Sequence, residues 1–222
     1  MRRQVSARGM LIGVLAGFAI LIAVLHVVSL TFNIHFPGAE TGKLLMWFDL
    51  DGERNVPTVY SGLLLGCSAF MALLLSSQIN TLWEKLRWVF LAVLFFYLAF
   101  DEILGIHETF AEPIREMLSI TEGNPLFHAW IIPGMVIMLG IASVAALIKR
   151  RNKISQLQKS VFLYVVILAG GVILLEIIGT QVYFTTAIYK LGPVFLEEMF
   201  EITMTSFILY KLTMAEFKLS GR

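Results

Sequence analysis

Cysteine is almost absent from this chain. Cys67 stands alone among 222 residues, which excludes an internal disulfide and any CxxC-type zinc or redox motif, and its apolar neighbours read as those of a small buried hydrophobe. Charge is scarce as well: 15% of the residues are charged, the net value is +1, and Lys and Arg are dispersed instead of lining a groove. That pattern excludes nucleic acid as a partner. Local metal-binding strings are missing too. There is no HExxH; DLDGE at 49–53 lacks the spaced oxygens and terminal Glu of an EF-hand; and Glu102 to His107 is not the E-x-x-H spacing of ferritin-like bundles. No CaaX, KDEL-like or lipobox ending is present.

What remains is apolar. Hydrophobic residues make up 58% of the chain and mean hydropathy is +0.80, outside the range of a soluble domain of this length. Windows long enough to cross hydrocarbon run over 10–30, 58–77, 86–106, 127–148, 161–182 and 194–213. The reading is therefore all-α: a polytopic membrane protein with six transmembrane helices, folded as a single helical-bundle domain over 1–222. The first window continues past the length of a signal-peptide core with no small-x-small site after it, so it reads as an uncleaved span. Asn55 before Pro57, Asn124 before Pro125 and Gly192 before Pro193 supply helix starts.

Thirteen of the 17 basic residues fall on one side of this alternation: Arg2, Arg3, Arg8, Lys85, Arg87, Lys149, Arg150, Arg151, Lys153, Lys159, Lys211, Lys218 and Arg222. Lys43, Arg54, Arg115 and Lys190 fall on the other. A bacterial inner membrane, both termini cytoplasmic, is the expectation. Residues 31–57 form an outer surface loop, with Phe36, Trp47 and Phe48 at the membrane surface and Asp49, Asp51, Glu53 and Arg54 over an opening. Residues 108–119 form an interfacial helix, Phe110, Ile114, Met117 and Leu118 on one face and Glu112, Arg115 and Glu116 on the other.

Counting along the helices places Asp101, Glu102, His107, Glu108, Glu176, Glu197, Glu198 and Glu201 in one layer, with His26, His35 and His128 at the same height. Asp101, Gly105 and Glu108 share a stripe, on which Gly105 leaves room for another helix or a ligand; a straight helix leaves His107 off that face. Carboxylates in hydrocarbon cost several kcal/mol unless protonated, paired or metal-bound, and too few cations are nearby to pair with them. Candidate metal ligands are Asp101, Glu102, His107, Glu108, His128 and Glu176. Glu198 and Glu201 are the candidate catalytic proton handlers. Glu197 reads as a helix-dipole partner, and His26 as a hydrogen-bonding candidate for Glu176.

The string DEILGIHE, the NVPTVYSGLLL helix start, Glu176 and EEMFE together resemble a group of uncharacterised bacterial six-span inner-membrane proteins. In that group one helix ends in D-E-x-x-x-x-H-E and the last begins with paired acids. The resemblance covers roughly residues 50–210 and implies a fold without an activity. A second similarity is to the ceramidase and progestin-receptor-like membrane hydrolases, which bind zinc among their helices. The paired histidines on their final helix and their seventh span are missing here, so no role is carried over.

Three function classes stay open: a divalent-metal-dependent enzyme, with zinc or iron, acting on a membrane or lipid-like substrate; a non-catalytic accessory or assembly subunit; and a cation or proton transporter. All three share the bilayer as partner, and all accommodate membrane-protein partners or a homo-oligomer.

Overall fold

The computed structural model describes residues 2–149, 152–183 and 192–220. Lys190, Arg150, Arg151 and Arg222 of the charge tally lie outside them. The described residues are all-α. In chain order they form α1 (Arg2–His35), α2 (Ala39–Phe48), α3 (Val56–Ser77), α4 (Leu82–Leu104), α5 (Ile106–Leu118), α6 (Ile131–Leu147), α7 (Lys153–Tyr183) and α8 (Pro193–Ser220).

Local chemistry sets the ends. Asn55 opens α3 through a reciprocal capping box, its Oδ1 accepting from the Thr58 N–H and the Thr58 hydroxyl accepting from the Asn55 N–H, with Pro57 in the first turn. Gly105 closes α4 in the left-handed region, φ 62°, and its N–H donates to the Asp101 carbonyl. The chain then restarts at once as α5, bent 78° from α4.

α3 packs on α4 and α8, α7 packs on α8 and α6, and α1 lies against α2 and α8. Gly62 lets α3 approach α4 closely, because a Cβ there would stand 2.6 Å from Ile103 Cγ1. One core joins Ala69 and Ala72 of α3 to Trp88, Leu91 and Phe95 of α4, Phe162 of α7 and Ile208 and Leu212 of α8. It occupies the end of the bundle where α4 and α7 begin. The outer face is apolar instead of polar: Phe18, Ile20, Leu63, Phe70, Val93 and Ile167 are exposed. A face of that kind suits lipid and not water.

Six spans do not survive. Among the described residues three helices are long and apolar enough to cross a membrane, residues 8–35 of α1, α3, and residues 153–180 of α7; a fourth is reached only by counting bent α4 and α5 together. The physical reasons are local. Residues 124–130 form turns where a helix from 127 was expected: Asn124 Oδ1 accepts from the Leu126 N–H, and the Phe127 N–H donates to the Asn124 carbonyl. That leaves α6 with 17 residues, about 25 Å against the ~30 Å of hydrocarbon. α8 carries Glu197, Glu198, Glu201, Lys211 and Glu216 along its length. The six-span inner-membrane resemblance fails on the same ground, and the cytoplasmic placement of both termini loses the alternation it was built on.

Two smaller expectations also change. α1 runs on to His35 and α2 occupies much of the expected outer loop. Cys67 is exposed on the outer face of α3 and not buried, because the core side of that helix is taken by Leu64, Leu65, Ser68 and Ala69.

Candidate functional site

α3, α6 and α8 begin, and α4 and α7 end, at the same end of the bundle. The ionisable residues of four helices, α4, α5, α7 and α8, and of the connections leading into α3 and α6 therefore converge there although they are far apart in sequence. They line one cavity of about 740 Å³.

The break at Gly105 organises the first part. Because α5 swings away from α4, His107 comes back over Asp101 instead of leaving its face. Asp101 Oδ1 accepts from the His107 backbone N–H at 2.8 Å, and its Oδ2 lies 3.0 Å from His107 Nδ1. One carboxylate thus caps the first turn of α5 and orients the imidazole. The ring also meets Trp130 edge-on, centroids 5.1 Å apart.

The α2–α3 connection supplies the next group. Asn55 Nδ2 donates to the Asp49 carbonyl at 2.6 Å, and the Leu50 N–H donates to Nδ1 of buried His26 at 3.1 Å. Those bonds hold the turn that carries Glu53, and the left-handed Arg54, φ 58°, turns the chain into α3. Glu53 lies on Gly105, where a Cβ would come within 3.3 Å of Glu53 Cγ and Cδ. Its Oε2 is buried with no hydrogen-bond partner. Burial pushes the Glu53 carboxyl up to about 7; the charge of Glu108 pushes the same way and that of His107 opposes it. Ligand atoms of Glu53, His107 and Glu108 all lie within 4.8 Å of one another. Glu53 and His107 are half-buried and Glu108 is exposed, so the cluster sits at the cavity mouth.

A second cluster lies opposite. His128 Nδ1 is 2.6 Å from Glu176 Oε1, and Glu197 lines the same cavity. Glu176 therefore meets His128, not His26, and Glu197 is more than a dipole partner. His26 is spent on the Leu50 turn, and His35 on the Thr31 carbonyl of its own helix.

Glu102, Glu198 and Glu201 line the same cavity. The wall carries nine acids in all, against Arg115, His107 and His128. Arg115 is already committed: it donates to the Phe127 carbonyl, stacks over that ring at 4.6 Å and pairs with Glu112. Lys43 pairs with Glu40 on α2, away from the cavity. The site is short of positive charge, and a bound cation or shared protons must supply it.

Sequence reasoning placed Glu53 over the opening and missed it as a donor. The available signal was its position two residues before the Asn55 cap, which sets it level with the end of the antiparallel neighbour α4.

The model of a family described as "Domain of unknown function (DUF8692)" matches residues 14–215. No curated protein and no solved structure matches the chain. No homology to the ceramidase-like membrane hydrolases is found, and that similarity is withdrawn.

Proposed function

We propose, from the premise that the chain belongs to the DUF8692 family and takes no activity from it, that this is a membrane-embedded enzyme whose Glu53, His107 and Glu108 hold a divalent metal ion. The supporting observation is the meeting of those three donors within 4.8 Å, one of their oxygens being buried without a partner. Asp101 Oδ2 accepts the hydrogen bond of the His107 Nδ1–H and so leaves Nε2 to ligate, the usual arrangement behind a metal-bound imidazole. One imidazole and two carboxylates leave coordination positions open, as catalytic sites do and structural ones do not.

Such an ion would supply a water acidified enough to attack at neutral pH. Zinc fits that hydrolytic role, and iron fits the same donors. Glu198 and Glu201 face the cavity and serve as proton handlers; Glu102 adds negative charge behind the site. The His128 and Glu176 pair, first read as metal ligands, is better suited to holding and passing a proton, because its imidazole and carboxylate already meet each other.

Elemental analysis of protein purified in detergent without added metal tests the reading. About one equivalent of zinc or iron is expected, lost in His107→Ala and in Glu53→Gln and retained in His128→Ala. Absence of metal from the wild-type protein, or equal loss in all three variants, would sink it and leave a non-catalytic subunit as the better account.

A further inference from the structure

The cavity has two chemically different ends. The acids occupy only one. Beyond them it is walled by Leu65 of α3, Leu94 and Leu98 of α4, Ile141 of α6, and Val165 and Leu168 of α7. Leu168 lies eight residues before Glu176, and Leu94 seven before Asp101, so the apolar part reaches roughly 10–12 Å past the acids.

The apolar end offers ordered water none of the two or more polar partners it needs. It therefore wants an apolar occupant. The way in is lateral: α4 and α6 both line the cavity, yet they are not among the packed helix pairs. Tyr97 and Ile137 flank that gap and are 45% and 50% exposed. Around a bundle whose outer face is apolar, such a gap opens onto lipid tails.

The polar end selects the head. Arg115 is held by Phe127 and Glu112, so among the described lining residues no uncommitted Arg or Lys remains to grip a phosphate, and even with a metal ion on Glu53 and Glu108 at the mouth the other seven acids of the wall repel one. We propose that the cavity binds a single-chain membrane amphiphile with an amine head, its chain between α4 and α6 and its head among the acids. This rests on the proposed function for what happens to the amphiphile there, but not for its binding.

The probe is a long-chain alkylamine carrying a diazirine midway along the chain, photolysed with the full-length protein in lipid nanodiscs and mapped by mass spectrometry. Label is expected on α4 and α6 around Leu94, Leu98 and Ile141, competed by dodecylamine and not by dodecyl phosphate. Leu98→Trp and, independently, Ala169→Phe should cut it at least severalfold while the protein elutes as a monodisperse peak. Label spread over outward residues such as Ile20 and Val93, or unchanged in both variants, would overturn the proposal. Equal competition by the phosphate would overturn the head assignment. Metal content measured on the same samples separates the two readings: labelled protein without metal defeats the enzyme alone, and metal-loaded protein without label defeats the amphiphile alone.

Discussion

At the scale of single residues, Asp101 does two jobs with one carboxylate, and its variants divide them. Asp101→Asn still offers one oxygen to the His107 N–H but no longer fixes the ring with the same charge. Metal affinity should fall about 10–100-fold with little loss of fold, measured by competition with a chromophoric chelator. Gly105 is different, because its φ of 62° is a conformation that a Cβ disfavours and its surface is already covered by Glu53. Gly105→Ala should cost about 1–2 kcal/mol from the backbone alone, read as a lower Tm in detergent, with metal lost as Glu53 is displaced. Glu53 itself sets a pH dependence. Its pKa of about 7 in the fold exceeds its ordinary value of 4.5, so the metal-free native state binds the extra proton. Its contribution to stability is therefore fullest below about 4.5 and declines as pH rises through about 7. Glu53→Gln should flatten that decline in thermal unfolding of metal-free protein; a decline of the same slope in the variant would assign it to other groups.

At the scale of elements, the sequence announced where helices begin better than where they break. Asn55 and Pro57 opened α3 as cap chemistry requires, and residues after Gly192 opened α8. Gly105 was legible as a small residue but not as a hinge, because an apolar run reads as one helix until a left-handed residue is placed in it. The consequence is chemical. A straight helix separates His107 from Asp101, whereas the bent pair joins them. His128 likewise could not be paired with Glu176 by counting, since residues 124–130 make turns and helical phase does not run through them. Asn55 shows how much one cap holds: it stabilises α3 and also fixes the Asp49 carbonyl that shapes the Glu53 turn. Asn55→Ala should cost about 1–2 kcal/mol in unfolding and should weaken metal binding as well, whereas a cap lost from a helix unrelated to the site would change stability only.

At the scale of the whole molecule, the gathering of acids at one end was readable from the sequence because helix direction alternates, and residues late in α4 and α7 must stand level with residues early in α8. The number of crossings was not readable in that way. Hydropathy sums a window without knowing whether its residues are helical or how a helix bends, so a 17-residue α6 and the charged α8 passed for spans. The scarcity of cysteine turns this into an experiment. Cys67 lies eleven residues into α3 on its exposed side, about 16 Å from the start of the helix and so near the middle of ~30 Å of hydrocarbon. A membrane-impermeant thiol reagent should leave it unlabelled in sealed vesicles and in vesicles opened without detergent, while a lipid-soluble maleimide labels it in both. A nitroxide attached there should be broadened by oxygen, which concentrates in hydrocarbon, more than by a water-soluble nickel chelate. Labelling by the impermeant reagent from either face would place the outer side of α3 in water. The lateral gap beside α4 would then open onto solvent instead of lipid, and the apolar face of the bundle would need a protein partner to cover it.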